Sequence, residues 1–325
     1  MYVLGIETSC DETSVAVVKS GRRSLSNAVS SSLKFHRKYG GVIPEIASRM
    51  QLETISQVAQ GALSDSGVAL KKINLVAVTD SPGLPGSLLV GVAFAKSLAL
   101  ALNVPLVAVN HVLSHIYANF LDKEPVKLPF VALVVSGGHT SLFYVKDFDR
   151  IETLGETHDD ACGEAFDKVA RIMGLGYPGG PVIEKLARDG DCGKIKLRCS
   201  GTEDALGFSF SGIKTAVLYA VKNRKLSLKK KKNIAASFQE TVISALIEKS
   251  ILACKMKSAV RLVIGGGVAA NNRLRLRFIE ETGSCGIKCY FPPKALCMDN
   301  AAMVAGMGYQ LYKSGKRSDL RLTIA

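Results

Sequence analysis

Two stretches decide the fold: GIETSCDETSVAVV at residues 5–18 and LVVSGGHTSLFYV at residues 133–145. Each opens on an apolar run, passes a short turn of small and polar residues, and returns through a Thr-Ser pair (Thr13-Ser14, Thr140-Ser141) into a second apolar run. Short apolar runs bounded by turn residues read as strands, so each stretch is a hairpin. A second unit follows each hairpin. Residues 75–78 read as a strand, TDSPGLPGS (79–87) as a glycine-rich turn, 88–102 as a helix and 105–109 as a strand. Later, 261–264 reads as a strand, GGGVAANN (265–272) as a glycine-rich turn, 273–282 as a helix and 287–291 as a strand. Two units recurring in the same order point to an internal duplication. The expectation is an α/β chain of two similar halves with a cleft between them, with ligands at the loops beyond the strand ends.

On this reading the first half covers residues 1–115, and a helix within 299–325 packs back on it. The second half covers 116–298 and carries a helical insertion at about 150–240. The remaining helix-like stretches are 163–173, 181–189, 234–254 and 299–314.

Composition narrows the function. The chain has 325 residues, 47% hydrophobic and 22% charged, which excludes disordered and fibrous classes. Lys and Arg outnumber Asp and Glu 42 to 28, a formal net charge of +14. An excess of that size suggests a polyanionic partner, either nucleic acid or an anionic membrane surface. The longest near-neutral stretch, 81–121, contains Lys96 and three prolines (Pro82, Pro85, Pro105), so no membrane span is expected. The first residues show no basic leader, and the eight cysteines form no C-x-x-C pair. The expected setting is a reducing cytoplasm with free thiols.

Six groups of residues carry candidate chemistry. In NHVLSH, His111 and His115 stand four apart, so a helix places both imidazoles on one side at metal-binding separation. Asp299 in CMDNAAM is the candidate third ligand. Val112 follows the first histidine, so the H-E-x-x-H pattern of zinc proteases is absent. In the SCDETS turn, Asp11 and Glu12 suit a metal, a ribose hydroxyl or a base, and repel a bare phosphate. In SGGHTS, the adjacent Gly137 and Gly138 let backbone N–H groups approach an anion. Gly265, Gly266 and Gly267 precede a helix as a nucleotide-binding turn does, and Asn271 either caps that helix or contacts a ligand. GEAFDKVARIMGLGYPGGP (163–181) places Glu164, Asp167 and Lys168 on a helix ahead of a tight Pro-Gly-Gly-Pro loop. The basic residues cluster in KNRKLSLKKKK (222–232), at Arg261, Arg273, Arg275 and Arg277, and at Lys313, Lys316, Arg317 and Arg321. Such clusters suit phosphates, and with no aromatics among them the lysine run would hold backbone without reading bases.

Nine motifs in order, GIETSCDETS, PGLPGSLLVG, NHxxxH, VSGGHT, GEAFDK, GYPGGP, FSFSGIKT, GGGVAAN and DNAAM, closely resemble the tRNA N6-adenosine threonylcarbamoyltransferase family in its bacterial or organellar form. The resemblance covers nearly the whole chain and implies an actin-like, sugar-kinase and heat-shock ATPase fold. It implies an acyltransferase that moves a threonylcarbamoyl group from threonylcarbamoyl-AMP to N6 of adenosine 37 in tRNAs reading ANN codons. It further implies one divalent transition metal, Fe2+ or Zn2+, held by His111, His115 and Asp299. Substrate and adenine-nucleotide contacts fall on Val134, Val135, Ser136, Gly137, Gly138, Asp167, Gly180 and Asn271. Asp11 and Glu12 match the acids of the first hairpin and are the candidate catalytic residues, and Lys229, Lys230, Lys231 and Lys232 are the candidate tRNA contacts. The partners implied are tRNA, a paralogous subunit lacking the metal site, and a small ATPase. Val-Leu-Ser between the two histidines, His158 before the DDA stretch, and the LRLTIA end depart from the family's pattern. The competing readings are a small-molecule kinase of the same superfamily and a non-catalytic paralogous scaffold.

Overall fold

A computed structural model describes residues 1–221 and 226–324; the first four residues of the basic run, 222–225, lie outside the described residues. The chain forms two compact units, Met1–Val126 with Pro292–Ala325, and Lys127–Phe291. In chain order unit 1 contains β1 (Tyr2–Glu7), β2 (Glu12–Lys19), β3 (Arg23–Ser31), α1 (Leu33–His36), α2 (Pro44–Ser66), β4 (Leu75–Ser81), α3 (Pro85–Leu102), β5 (Leu106–Asn110) and α4 (His111–Tyr117). Unit 2 contains β6 (Phe130–Val135), β7 (Thr140–Asp147), β8 (Arg150–Glu156), α5 (Cys162–Ile172), α6 (Gly179–Ala187), α7 (Ser211–Val221), α8 (Leu228–Met256), β9 (Arg261–Gly265), α9 (Asn272–Ser284) and β10 (Lys288–Tyr290). The chain then returns to unit 1 with α10 (Ala301–Lys313).

The duplication is visible in the strand order. The first sheet runs β3-β2-β1-β4-β5 and the second β8-β7-β6-β9-β10. In both, the hairpin strands pair antiparallel and the later strands add in parallel. The central strands are covered on both faces, which is why 3–6, 75–78 and 130–135 are continuous apolar runs with no polar alternation.

In unit 1, α2 and α3 supply Ile55, Ala59, Ala62, Val92, Ala95 and Ala99 to a core with Leu4, Ile6, Val76 and Val78. α3 is long and apolar enough to cross a membrane by length and composition; here it packs against β4 and α2. α10 packs against β1, β2 and β4. Two glycines set that approach. A Cβ on Gly5 of β1 would meet the Ala301 carbonyl at 2.2 Å, and one on Gly308 of α10 would meet the Ala77 Cβ at 2.4 Å.

Three boundaries differ from the expectation. Unit 1 extends past residue 115 to Val126, because the chain there stays bound to this unit: Gln310 of α10 donates to the Tyr117 hydroxyl at 2.9 Å, and Asp122 N donates to Arg22 O at 2.9 Å. Residues 150–156 are the outer strand β8, so the helical insertion begins after it. α10 begins at Ala301, with Asn300 as its cap, so Asp299 stands just outside the helix it was expected to open.

Replacing Gly5 by Val forces α10 off β1. The expected outcome is a loss at the upper end of the roughly 1–3 kcal/mol typical of overpacked cores. It is read as a lowered urea midpoint, and an unchanged midpoint would refute the packing role.

Candidate metal centre and anion-binding turn

Two helix caps build the candidate metal centre in unit 1. β5 ends at Asn110, whose side chain accepts from Leu113 N at 3.1 Å and starts α4 with His111 as its first residue. Asn300 accepts from Met303 N at 3.1 Å to start α10, and Asp299 is the residue before it. Each cap therefore fixes a candidate ligand at a helix N-terminus. His115 follows one turn along α4. The ligand atoms of His111, His115 and Asp299 lie within 4.8 Å of one another. Asp299 Oδ1 is 3.2 Å from His115 Nε2 and 3.6 Å from His111 Nε2.

The donor set fits a cation. Both ring nitrogens of His115 are buried without a hydrogen-bond partner. Leaving such atoms unsatisfied costs about 1–3 kcal/mol, and a metal satisfies one of them. Two imidazoles and one carboxylate are also the donors that divalent transition metals take.

Glu7, at the end of β1, is a site residue that motif reading missed. Its carboxylate is buried and accepts from Ser9 N at 2.5 Å and from the Thr79 hydroxyl at 2.6 Å; His111 Nδ1 lies 3.1 Å away. Ser9 Oγ lies 3.0 Å from the same nitrogen. With Glu7 ionised, Nδ1–H donates to it, and Nε2, which must give up its proton when a cation binds, is the nitrogen turned toward Asp299. Burial pushes the Glu7 carboxyl up, but the charge and hydrogen bond of His111 outweigh it and hold Glu7 below its ordinary range. For His111 burial acts downward, and Glu7 and then Asp299 overcome it, lifting the imidazole to about 9. The only sequence signal for Glu7 was an acid at the end of an otherwise apolar strand.

The SCDETS turn lies beside this cluster. Gln51 of α2 donates its amide to the carbonyls of Cys10 at 3.0 Å and Glu12 at 2.9 Å. Leu84 N, just before α3, donates to Ser9 O at 2.8 Å. Glu12 is pushed up to about 10, first by burial and then by the charges of Asp299 and Asp11. Burial, then Asp11, Asp299 and Glu12, also push the Cys10 thiol up. The pocket is thus a concentrated negative field that a cation would relieve.

In unit 2, Val134 and Val135 are buried at the end of β6, and Ser136, Gly137 and Gly138 form the turn into β7. Ser136 N donates to His139 O at 2.8 Å, closing the turn, and Gly137 and Gly138 are both exposed with open space beside them. Gly266 has φ of +93°, and a Cβ there would meet the Val135 carbonyl at 2.2 Å, so only glycine lets the GGGVAANN turn approach β6. Asp167 accepts from Gly179 N at 2.6 Å and so anchors the start of α6, while Gly180 beside it faces open space. Asn271 caps α9 through Leu274 N at 3.0 Å and donates to Gln239 Oε1 at 2.9 Å. The capping role expected of it is real, and its buried amide serves α8 as well. A cavity of about 350 Å³ lies between α6, α8 and α9, lined by Glu184, Arg188, Gln239, Asn272 and Arg273 among others.

The basic groups differ in what they face. Lys229 is exposed, Lys230 and Lys231 are half-buried, and Lys232 is tied to Asp189 at 2.8 Å. Arg273 and Arg277 both pair with Glu240, and Arg275 stacks on Phe291, so this arginine group is largely spent inside unit 2. Arg317 lies over the Tyr312 ring and Arg321 pairs with Asp319.

Residues 23–306 match the family model TsaD, tRNA N6-adenosine threonylcarbamoyltransferase. A curated relative with that name from Symbiobacterium thermophilum is 53% identical over 321 residues, covering 98% of this chain and 94% of the relative. One from Thermodesulfovibrio yellowstonii is 53% identical over 329 residues, covering 99% and 98%. Among solved structures, T. kodakarensis HypF superposes with a TM-score of 0.65 at 15% identity, over 99% of this chain and 49% of HypF, so the chain spans about half of that protein. The Acidaminococcus fermentans (R)-2-hydroxyglutaryl-CoA dehydratase component A gives 0.56 at 14% identity, covering 97% of this chain and 100% of that one. At such identities these two structures speak for the duplicated fold alone.

A metal must displace the proton that His111 holds up to about 9. Apo-protein is therefore expected to bind Zn2+ more weakly as pH falls from 8 to 6, by at least about tenfold per pH unit. Chelator competition measures this, and a pH-independent affinity would refute the protonated imidazole. Glu7→Gln is expected to lower metal affinity by about 10–100-fold, as second-sphere changes do.

Proposed function

The chain belongs to the tRNA N6-adenosine threonylcarbamoyltransferase family, and from that premise we propose how its residues share the reaction. It is a transferase that forms N6-threonylcarbamoyladenosine in tRNA. We infer threonylcarbamoyl-AMP as donor and N6 of adenosine 37 in tRNAs reading ANN codons as acceptor. The observation that carries this reading is the buried cluster of His111, His115 and Asp299, with an imidazole that has no hydrogen-bond partner. A small-molecule kinase of the same fold has no use for it, and a non-catalytic paralogous scaffold lacks it.

In the reaction the N6 amine attacks the carbamoyl carbon, the bond from that carbon to the phosphate oxygen breaks, and AMP leaves. A divalent ion at His111, His115 and Asp299, when bound, supplies Lewis-acid polarisation to a threonylcarbamoyl oxygen. Fe2+ is the assignment, with Zn2+ second, because two histidines and one carboxylate are the set that non-haem Fe2+ takes. Glu7 engages Nδ1 of His111, so Nε2 is the nitrogen presented toward Asp299. The amides of Gly137 and Gly138 receive the phosphate. Val134, Val135 and Ser136 fix that turn, and Asp167, Gly180 and Asn271 shape the adenosine side. A cavity of about 350 Å³ is of the size that takes a nucleoside.

An exocyclic amine is a weak nucleophile, so placing it matters more than the strength of a base. Asp11 and Glu12 are the acids assigned to take its proton. Glu12 is held at about 10 partly by the charge of Asp299, and a cation facing Asp299 cancels that repulsion and favours the carboxylate.

Lys229 to Lys232 crowd the first turn of α8, where the helix dipole is already positive. That arrangement costs stability unless an anion relieves it, which supports a phosphate-backbone contact with tRNA. A paralogous subunit without the metal ligands and a small ATPase are the protein partners assigned by family. The cytoplasm is the assigned location; among the described residues no disulfide joins the cysteines.

Depleting the protein is expected to remove threonylcarbamoyladenosine from tRNA nucleosides read by mass spectrometry, and unchanged levels would overturn the function. Replacing His111 and His115 together by Ala is expected to abolish both metal content and modification. Lys229, Lys230 and Lys231 changed to Gln are expected to weaken tRNA binding and flatten the slope of log affinity against log salt by about 2–3. Metal content stays as in the wild type; an unaltered salt slope would take the tRNA off this helix.

A further inference from the structure

Asp167 apart, the FSFSGIKT and DDACGEAFDK motifs have no role in the chemistry above, yet they are bonded to each other and to the SGGHT turn. Asp159 accepts from Phe210 N at 2.8 Å, Ser211 N at 3.3 Å, the Ser209 hydroxyl at 2.6 Å and the Ser211 hydroxyl at 2.7 Å, which fixes the start of α7. Asp160, only 12% exposed, receives Lys168 of α5 at 2.5 Å and Lys214 of α7 at 2.8 Å. One carboxylate thus carries two cations from two helices, directly ahead of the first residue of α5.

The first N–H groups of α5 go to the turn. Cys162 N donates to the Thr140 hydroxyl at 2.8 Å, Gly163 N to Ser136 O at 3.0 Å and Glu164 N to Gly137 O at 3.1 Å. The contact is so close that a Cβ on Gly163 would meet Ser136 O at 2.6 Å. In a trans peptide C=O and N–H point in opposite directions. The peptides after Ser136 and Gly137 are trans. With both carbonyls drawn toward α5, the N–H groups of Gly137 and Gly138 must both point away from it. Neither amide has a hydrogen bond among the described residues. Two adjacent amides turned to one side form a concavity for an anion.

We propose that Asp160, held between Lys168 and Lys214, is a positioning residue for the phosphate of the donor. It acts by fixing the first turn of α5, which in turn aims the amides of Gly137 and Gly138. The proposal rests on the assignment of the SGGHT turn to the donor phosphate. The ion triad touches no substrate, and its effect is confined to the phosphate. AMP and adenosine therefore separate this role from a general structural one, since both present the same base and sugar.

Isothermal titration of the full-length protein with AMP and with adenosine tests it. Asp160→Asn and Lys214→Met are each expected to weaken AMP about tenfold while adenosine changes less than about twofold. Lys214→Arg, which still reaches the carboxylate, is expected to keep AMP within about twofold of wild type. Gly163→Ala displaces the turn without touching the triad and is expected to reproduce the selective loss. If Asp160→Asn does not fold, the Lys214→Met and Lys214→Arg pair decides the matter. Folded variants that keep the wild-type preference for AMP over adenosine overturn the proposal and leave the turn's phosphate role standing. A wild type with no preference for AMP overturns that role, and the proposal with it.

Discussion

A carboxylate buried at the end of a central strand is costly unless it is fully bonded and paired, and Glu7 is such a carboxylate. Its bonds come from Ser9 in the hairpin turn, Thr79 on β4 and His111 at the end of β5. One side chain therefore ties together the ends of three neighbouring strands of the first sheet. His111 cannot leave without stranding Glu7, and Glu7 fixes which nitrogen of His111 is turned toward Asp299. Folding stability and ligand geometry are the same contact here. Asp299 enters this arrangement through α10, whose approach depends on the absence of a Cβ at Gly5 and Gly308.

The duplication shows how one hairpin turn was made to serve opposite charges. In unit 1 the turn carries Asp11 and Glu12 and is bound by Gln51 and Leu84, so its surroundings are acidic. In unit 2 the equivalent turn has two glycines and no acid, and its carbonyls are taken by α5. The strand order is identical and carbonyls of the turn are taken in both; what differs is which polar groups the turn has left. Unit 1 removes carbonyls and leaves carboxylates, which suits a cation. Unit 2 removes carbonyls and leaves N–H groups, which suits an anion.

The hairpins, the duplication and the His111–His115 spacing could be read from the sequence because each leaves a local periodic or spaced signal. α2 could not: its buried positions are Ala47, Gln51, Ile55, Ala59 and Ala62, a face of small residues and one glutamine with little apolar contrast. β3 is mostly half-buried and serine-rich, and β8 is similarly exposed, so neither stands out as a strand. Glu7 was missed because a buried acid is defined by what surrounds it, and its partners lie 72 and 104 residues away. The Asp160 brace is invisible for the same reason, since Lys214 is 54 residues distant.

Charge is the feature where sequence and structure part most. The formal +14 treats every cation alike. In the folded chain Arg273 and Arg277 are neutralised by Glu240, Lys232 by Asp189, and Lys168 and Lys214 by Asp160. These cations are bound into the scaffold and contribute little to a field felt by a polyanion. Among the described residues Lys229, Lys230 and Lys231 pair with no such acid, and they sit where the helix dipole opposes them. Local stability alone would select against lysines there. An anion supplied from outside the chain would offset that cost, and the backbone of a tRNA substrate, as proposed above, is such an anion.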